Sequence, residues 1–210
     1  MTELLGLPNP PAIGRERLVA VAVDLFYRNG LTGVGIDRVI ASAGVTRTTF
    51  YKHFESKDEL MVAAVQLRDQ WETQAVGRLV REIAGDDPAA QLLAMLDVLD
   101  LWFNAPDFHG CMFLNTAIEF PNPHDPVHQA AAAHKRRVRD SLRDLALAAG
   151  AEADPAETFA DCYCALIEGA LVLRQTHDRD DAARVVRPAA QQLIAAYIHP
   201  KPKRRRPVPT

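Results

Sequence analysis

The sequence predicts an all-α fold, with three short helices followed by a bundle of longer ones. Three observations carry this expectation. Apolar residues recur at helical spacing, as in Leu18, Ala22, Leu25 and Phe26. The pairs Asp87-Pro88, Asp125-Pro126 and Asp154-Pro155 each place a capping carboxylate before a proline whose missing N–H costs nothing in a first helical turn. No segment sustains the alternation of a half-buried strand, and no internal repeat appears.

Residues 1–12 contain Pro8, Pro10 and Pro11 without a periodic pattern and read as a flexible arm. The first helix runs from Ile13 to Asn29 and stops at Gly30. A short helix over Ile36 to Ala43 closes at Gly44, and Thr46 is placed to cap the next, which ends around His53. Ser56 and Glu59 have the spacing of a capping box. Behind them Leu60, Ala64, Leu67 and Trp71 form the stripe of one long helix reaching toward Ile83. Further helices are expected over 88–104, 110–120, 126–149, 154–177 and 180–198. The Pro-rich, basic end, "PKPKRRRPVPT" at 200–210, reads as a disordered tail, either adding nonspecific phosphate affinity or simply solvated. The expected organisation is a three-helix module over 13–59 and a larger bundle over 60–199.

Composition narrows the functional classes. The 210 residues carry a net charge of −3 with 48% hydrophobic content, enough for a real core and against wholesale polyanion binding. No run is long and apolar enough to span a membrane, and no signal peptide is visible. The three cysteines, Cys111, Cys162 and Cys164, do not form a secreted disulfide framework, so a cytoplasmic location is expected. The chain has no P-loop, G-x-S-x-G or H-E-x-x-H motif, which argues against an enzyme, and no cofactor is implied. His109, Cys111, His124 and His128 lack metal-ligand spacing, and no metal site is expected.

The chemistry concentrates in "GVTRTTFYKHF", Gly44 to Phe54. Two short helices joined at Gly44, with Val39, Val45 and Phe50 holding them together, match a helix-turn-helix that offers its second helix to the major groove. Arg47 can pair with guanine O6 and N7 or with phosphate. Thr46, Thr48 and Thr49 offer hydroxyls to phosphates or bases, while Tyr51, His53 and Lys57 sit where phosphate contacts fix register. Backbone N–H groups beside Ser56 and Lys57 form a natural phosphate site. From Ile13 to Lys57 there are seven Lys/Arg against four Asp/Glu, so this module is locally positive.

"GIDRVIASAGVTRTTFYKHFESKDEL" resembles the DNA-binding signature of the TetR family of bacterial transcriptional regulators, and "RERLVAVAVDLFYRNGLTGV" resembles its first helix. The resemblance is strong over residues 13–62. It implies groove-facing roles for Thr46, Arg47, Thr48, Tyr51 and Lys52, with His53 and Lys57 on phosphate; Arg38 and Thr49 complete the candidate set. It further implies a repressor that binds a palindromic double-stranded DNA operator as a homodimer, controlled by a small-molecule effector held in the C-terminal helices.

For that effector the sequence offers Asn115 and Glu119, one turn apart with Met112 on an otherwise apolar helix. It adds the aromatics Trp102, Phe103 and Phe108, together with Tyr163, Glu168 and Cys111. The alternatives are core packing for the aromatics, an arginine such as Arg174 or water as partner for Asn115 and Glu119, pairing across a dimer interface for Glu168, and an inert buried thiol for Cys111. Cys111 near a helix start suggests a second mode, a thiol-based redox response, and a helical ligand-binding protein without sequence-specific DNA binding is a third. Leu166, Leu173, Val185, Val186, Leu193 and Ile194 are the candidate dimer interface, or else core. The run "HKRRVR" reads as a solvated helix face.

Overall fold

The computed structural model describes residues 14–199. Among them are nine α-helices and no strand: α1 (Arg15–Asn29), α2 (Ile36–Ala43), α3 (Arg47–His53), α4 (Lys57–Ala84), α5 (Pro88–Phe103), α6 (Met112–Glu119), α7 (Pro126–Ala149), α8 (Ala153–His177) and α9 (Ala182–Tyr197). The N-terminal arm and the basic tail lie outside the described residues.

Local signals set most boundaries. Asp87 caps α5 by accepting from the Ala89 and Ala90 amides, and Asp125 caps α7 through Val127. Asp154 does not cap α8. That helix begins one residue earlier, after Glu152, and Pro155 falls in the first turn, where an N–H has no intrahelical acceptor in any case. Ser56 caps α4 as expected, but the Glu59 carboxylate accepts from the Glu55 amide, not from that of Ser56.

One apolar cluster runs without a break from the first three helices into the bundle. Leu18, Ala22 and Phe26 of α1, Val39 of α2 and Phe50 of α3 meet Leu60, Ala64 and Val65 of α4. Phe103, Met112, Phe113 and Leu171 continue the same cluster. Each fully buried large side chain stabilises the fold by about 1.5–3 kcal/mol. A second cluster at the far end packs Leu92, Leu96, Leu142, Phe159 and Tyr163. The expected boundary near residue 60 falls inside α4, whose first half belongs to the core of the N-terminal helices and whose second half faces the bundle.

Candidate nucleic-acid interface and helical cavity

Helices α2 and α3 meet at Gly44, which takes φ 67° and ψ 33°, left-handed geometry that glycine adopts without the Cβ penalty. The turn is closed by bonds from the Gly44 amide to the Ala41 carbonyl (3.2 Å) and from the Val45 amide to the Ile40 carbonyl (3.2 Å). Arg17 of α1 donates to the Ala43 carbonyl at 2.6 Å, fixing the end of α2. Val39 and Phe50 are buried, and Val45 packs against the same core. This anchoring leaves Thr46, Arg47, Thr48, Tyr51 and Lys52 exposed on one side of α3, with Thr49 and His53 half-buried and Arg38 exposed on α2.

Several of these groups have local partners. The Thr46 hydroxyl caps α3, accepting from the Thr49 amide at 3.1 Å, and lies 2.9 Å from the Thr49 hydroxyl. Arg47 reaches back to Asp37 at 2.5 Å, and that bond is the main cause holding its pKa above the ordinary arginine value. The pair is solvent-exposed, so it is weak and readily exchanged for another anion. Lys57 donates to the Thr32 carbonyl at 3.3 Å, and Arg38 to Asn29.

Behind this module, α4, α5, α7 and α8 enclose a cavity of about 410 Å³. Its walls are mainly apolar, with Val76, Val80, Met95, Val98, Leu99 and Leu145 among them. Polar groups gather at the end nearer α6. Lys135 donates to Glu168 Oε1 at 2.6 Å. Burial opposes the Lys135 ammonium, but Cys111 and the Glu168 carboxylate outweigh it and hold its pKa above the usual lysine value. Beside them His134 Nδ1 lies 2.7 Å from Asp69 Oδ1. The ionised carboxylate only accepts, so the imidazole donates. Arg137 also donates to Asp69, and Arg68 bonds Glu72 at 3.0 Å while lying over the Tyr27 ring of α1 at 4.5 Å.

Helix α6 joins the two regions. At its start Cys111 lines the cavity, its sulfur accepting from the Leu114 amide, and Phe113 stacks on His134 with centroids 3.5 Å apart. At its end Glu119 accepts from the Leu31 amide (3.1 Å), the Thr32 amide (2.7 Å) and the Thr32 hydroxyl (2.7 Å). These belong to the link between α1 and α2. Gly30, at φ 75°, lets the carboxylate in: a Cβ there would lie 2.9 Å from Glu119 Oε1.

The sequence matches two family models, "Bacterial regulatory proteins, tetR family" over residues 18–64 and "Tetracyclin repressor-like, C-terminal domain" over 88–190. The chain belongs to the TetR family of transcriptional regulators. Among solved structures, a TetR-family regulator from Streptomyces coelicolor is 28% identical with a TM-score of 0.77, covering 90% of this chain and 91% of its own. A TetR regulator from Chloroflexus aurantiacus is 27% identical at TM-score 0.73, covering 89% and 96%. The HTH-type transcriptional regulator LmrA of Bacillus subtilis is 24% identical over 164 residues, 77% of this chain and 86% of that one. Bound to this family, the helix-turn-helix is a DNA-binding element of a transcription regulator.

Within this TetR-family fold the sequence-predicted pocket residues divide. Trp102, Cys111 and Glu168 line the cavity. The others lie elsewhere. Tyr163 is fully buried in the far cluster, its hydroxyl donating to the Leu92 carbonyl at 2.5 Å. Phe103 and Met112 are core, and Phe108 packs on that core under Arg174, 5.0 Å from its ring centre. Asn115 is half-buried on α6 outside the cavity lining, and Glu119 is occupied by the α1–α2 link. Sequence reasoning missed Glu72, His134 and Lys135, whose convergence depends on how α4 and α7 pack. Cys111 is sealed, and burial pushes its thiol pKa up, against a reactive thiolate at neutral pH. Among the described residues no group of His, Cys, Asp or Glu could hold a metal ion, and no helix is long and apolar enough to cross a membrane.

The candidate interface residues are mostly turned toward their own chain. Leu166, Leu173, Val186, Leu193 and Ile194 are half-buried against the two cores of their own chain, because large apolar groups gain most by facing inward. Only Val185 of that set is exposed, at 42%. The outer face of α8 carries Cys162, Ala165, Gly169 and Val172, and that of α9 carries Val185, Ala189 and Ala196, all small or medium apolar residues in contact with solvent.

Proposed function

We propose that the protein is a homodimeric repressor that binds a palindromic operator through α3 and is controlled by a small molecule occupying the cavity. The observation that carries this reading is α6 itself, whose N-cap Cys111 lies in the cavity wall and whose last residue is hydrogen-bonded to the α1–α2 link that leads into the helix-turn-helix. A ligand that displaces Cys111, His134 or Phe113 moves the carboxylate holding residues 31 and 32. The recognition helices of a dimer are then respaced, and a coupling of about 3 kcal/mol alters operator affinity roughly 150-fold.

Enrichment of a random DNA library on the purified protein at near-physiological salt tests the DNA-reading part. The expected product is an inverted repeat whose half-sites match the two-fold axis. Arg47→Ala then relaxes preference at one symmetric position per half-site and weakens binding by about tenfold, within the usual range for a guanine contact. Absence of any enriched sequence counts against sequence reading by α3.

The outer faces of α8 and α9 support the dimer. Small side chains let two helix pairs approach closely, and a stripe this apolar is unusual on a surface that stays wet. Gly169→Arg is the direct test, because a Cβ at Gly169 meets nothing within 4 Å and the substitution leaves the monomer's packing intact. Light scattering is expected to report a folded monomer with lost operator affinity. A variant that stays dimeric places the interface elsewhere.

A further inference from the structure

Two polar atoms on cavity-lining residues have no hydrogen-bond partner among the described residues, the Trp102 indole N–H, which lies beside Tyr27, and Glu168 Oε2, the charged one of the two. Glu168 Oε1 is taken by Lys135, whereas Oε2 is shielded from bulk water and has no hydrogen-bond partner among the described residues. A carboxylate oxygen in that position is costly, and native structures rarely leave one so. The charges around it are otherwise matched. Glu72 is held by Arg68, and Asp69 by His134 and Arg137, while Arg81 sits exposed at the opposite end of the cavity, where water screens it. The remaining wall is mainly aliphatic, with Trp102 and the neutral polar side chains of Thr73, Gln74, Gln91 and Ser141.

We propose that the cavity binds an uncharged, mainly apolar molecule carrying a hydroxyl or N–H donor, which it presents to the Glu168–Lys135 pair. This rests on the cavity being the effector site. A cation finds Glu168 already neutralised, and an anion meets the spare carboxylate oxygen. A neutral hydroxyl satisfies both partners: it donates to Glu168 after a rotation of the carboxylate about its last bond, and accepts from a second ammonium proton of Lys135. The apolar body then fills the aliphatic wall between α4 and α5, and about 410 Å³ falls within the range of small-molecule sites.

Four probes of one shape separate the possibilities by titration calorimetry on the full chain: 1-naphthol, 1-methylnaphthalene, 1-naphthoate and 1-naphthylmethylammonium. The expected order puts 1-naphthol at least about tenfold tighter than 1-methylnaphthalene, the scale of a hydrogen bond to a charged group. The double substitution Lys135→Met with Glu168→Met removes the pair together and avoids stranding one charge. It is expected to abolish the preference for 1-naphthol while keeping 1-methylnaphthalene binding, which certifies the fold. Equal binding of the two neutral probes, or tighter binding of either ion, overturns the ligand class and leaves the cavity as a binding site. Failure of all four to bind overturns the cavity reading, and the ligand class with it.

Discussion

Asp69→Ala is expected to lower unfolding free energy by about 1–3 kcal/mol at pH 7, the cost of leaving the buried His134 donor without its acceptor, while the half-exposed Arg137 turns to water. Asp69 is 7% exposed and His134 4%, and the carboxylate serves both His134 and Arg137, tying α4 to α7 beside the cavity. Burial alone would raise the Asp69 pKa, but the hydrogen bonds from His134 and Arg137 outweigh it and hold the carboxyl below its ordinary range. A depressed folded-state value means that the stabilisation is fully present above the unfolded-state value, about pH 4, and is lost as pH falls through the folded-state value. Denaturant titrations at pH 7 and along the acid limb check both halves. The variant should be weaker at pH 7 and lose less on acidification. Equal stability of the two proteins at pH 7 would show that the network contributes little.

Glu119→Ala is expected to lower stability by about 1–3 kcal/mol and to accelerate amide exchange at Leu31 and Thr32 specifically. Leu31 is 1% exposed, so its amide has no ready substitute in water, whereas Thr32 is solvent-facing and loses less. Glu119→Gln separates charge from shape: it keeps an acceptor near both amides and should fall between the two. Hydrogen exchange read residue by residue is the deciding measurement. Unchanged protection at 31 and 32 in the alanine variant would mean that α1 and α2 hold the link without α6, and α6 would then lose its place in the proposed coupling.

The helix-turn-helix was legible because its determinants are local. Gly44 sets the turn, Thr46 caps the helix and Phe50 anchors it, all within a few residues. The cavity was not, because convergence of Glu72 on α4, His134 and Lys135 on α7 and Glu168 on α8 depends on interhelical packing that no spacing encodes. Glu119 illustrates the limit. A carboxylate four residues from Asn115 on an apolar helix does announce a need for partners, but those partners are backbone amides 87 and 88 residues earlier in the chain. The proposed dimer face was only partly legible. Cys162, Ala165, Gly169 and Val172 recur at helical spacing, but side chains this small carry little hydrophobic signal beside Leu166 and Leu173 of the same helix, which are half-buried against their own chain.

The separation of the aliphatic part of the cavity wall from the hydrogen-bonded groups has an evolutionary consequence for the proposed coupling. Val76, Val80, Met95 and Val98 shape the space available to a guest, yet none of them takes part in the hydrogen bonds running from Asp69 and His134 or from Glu119 to the α1–α2 link. If the cavity is the effector site proposed above, mutational drift at those positions retunes what is sensed while the transmission is inherited unchanged, and the same partition gives a designer of biosensors a set of positions to randomise without disabling the output.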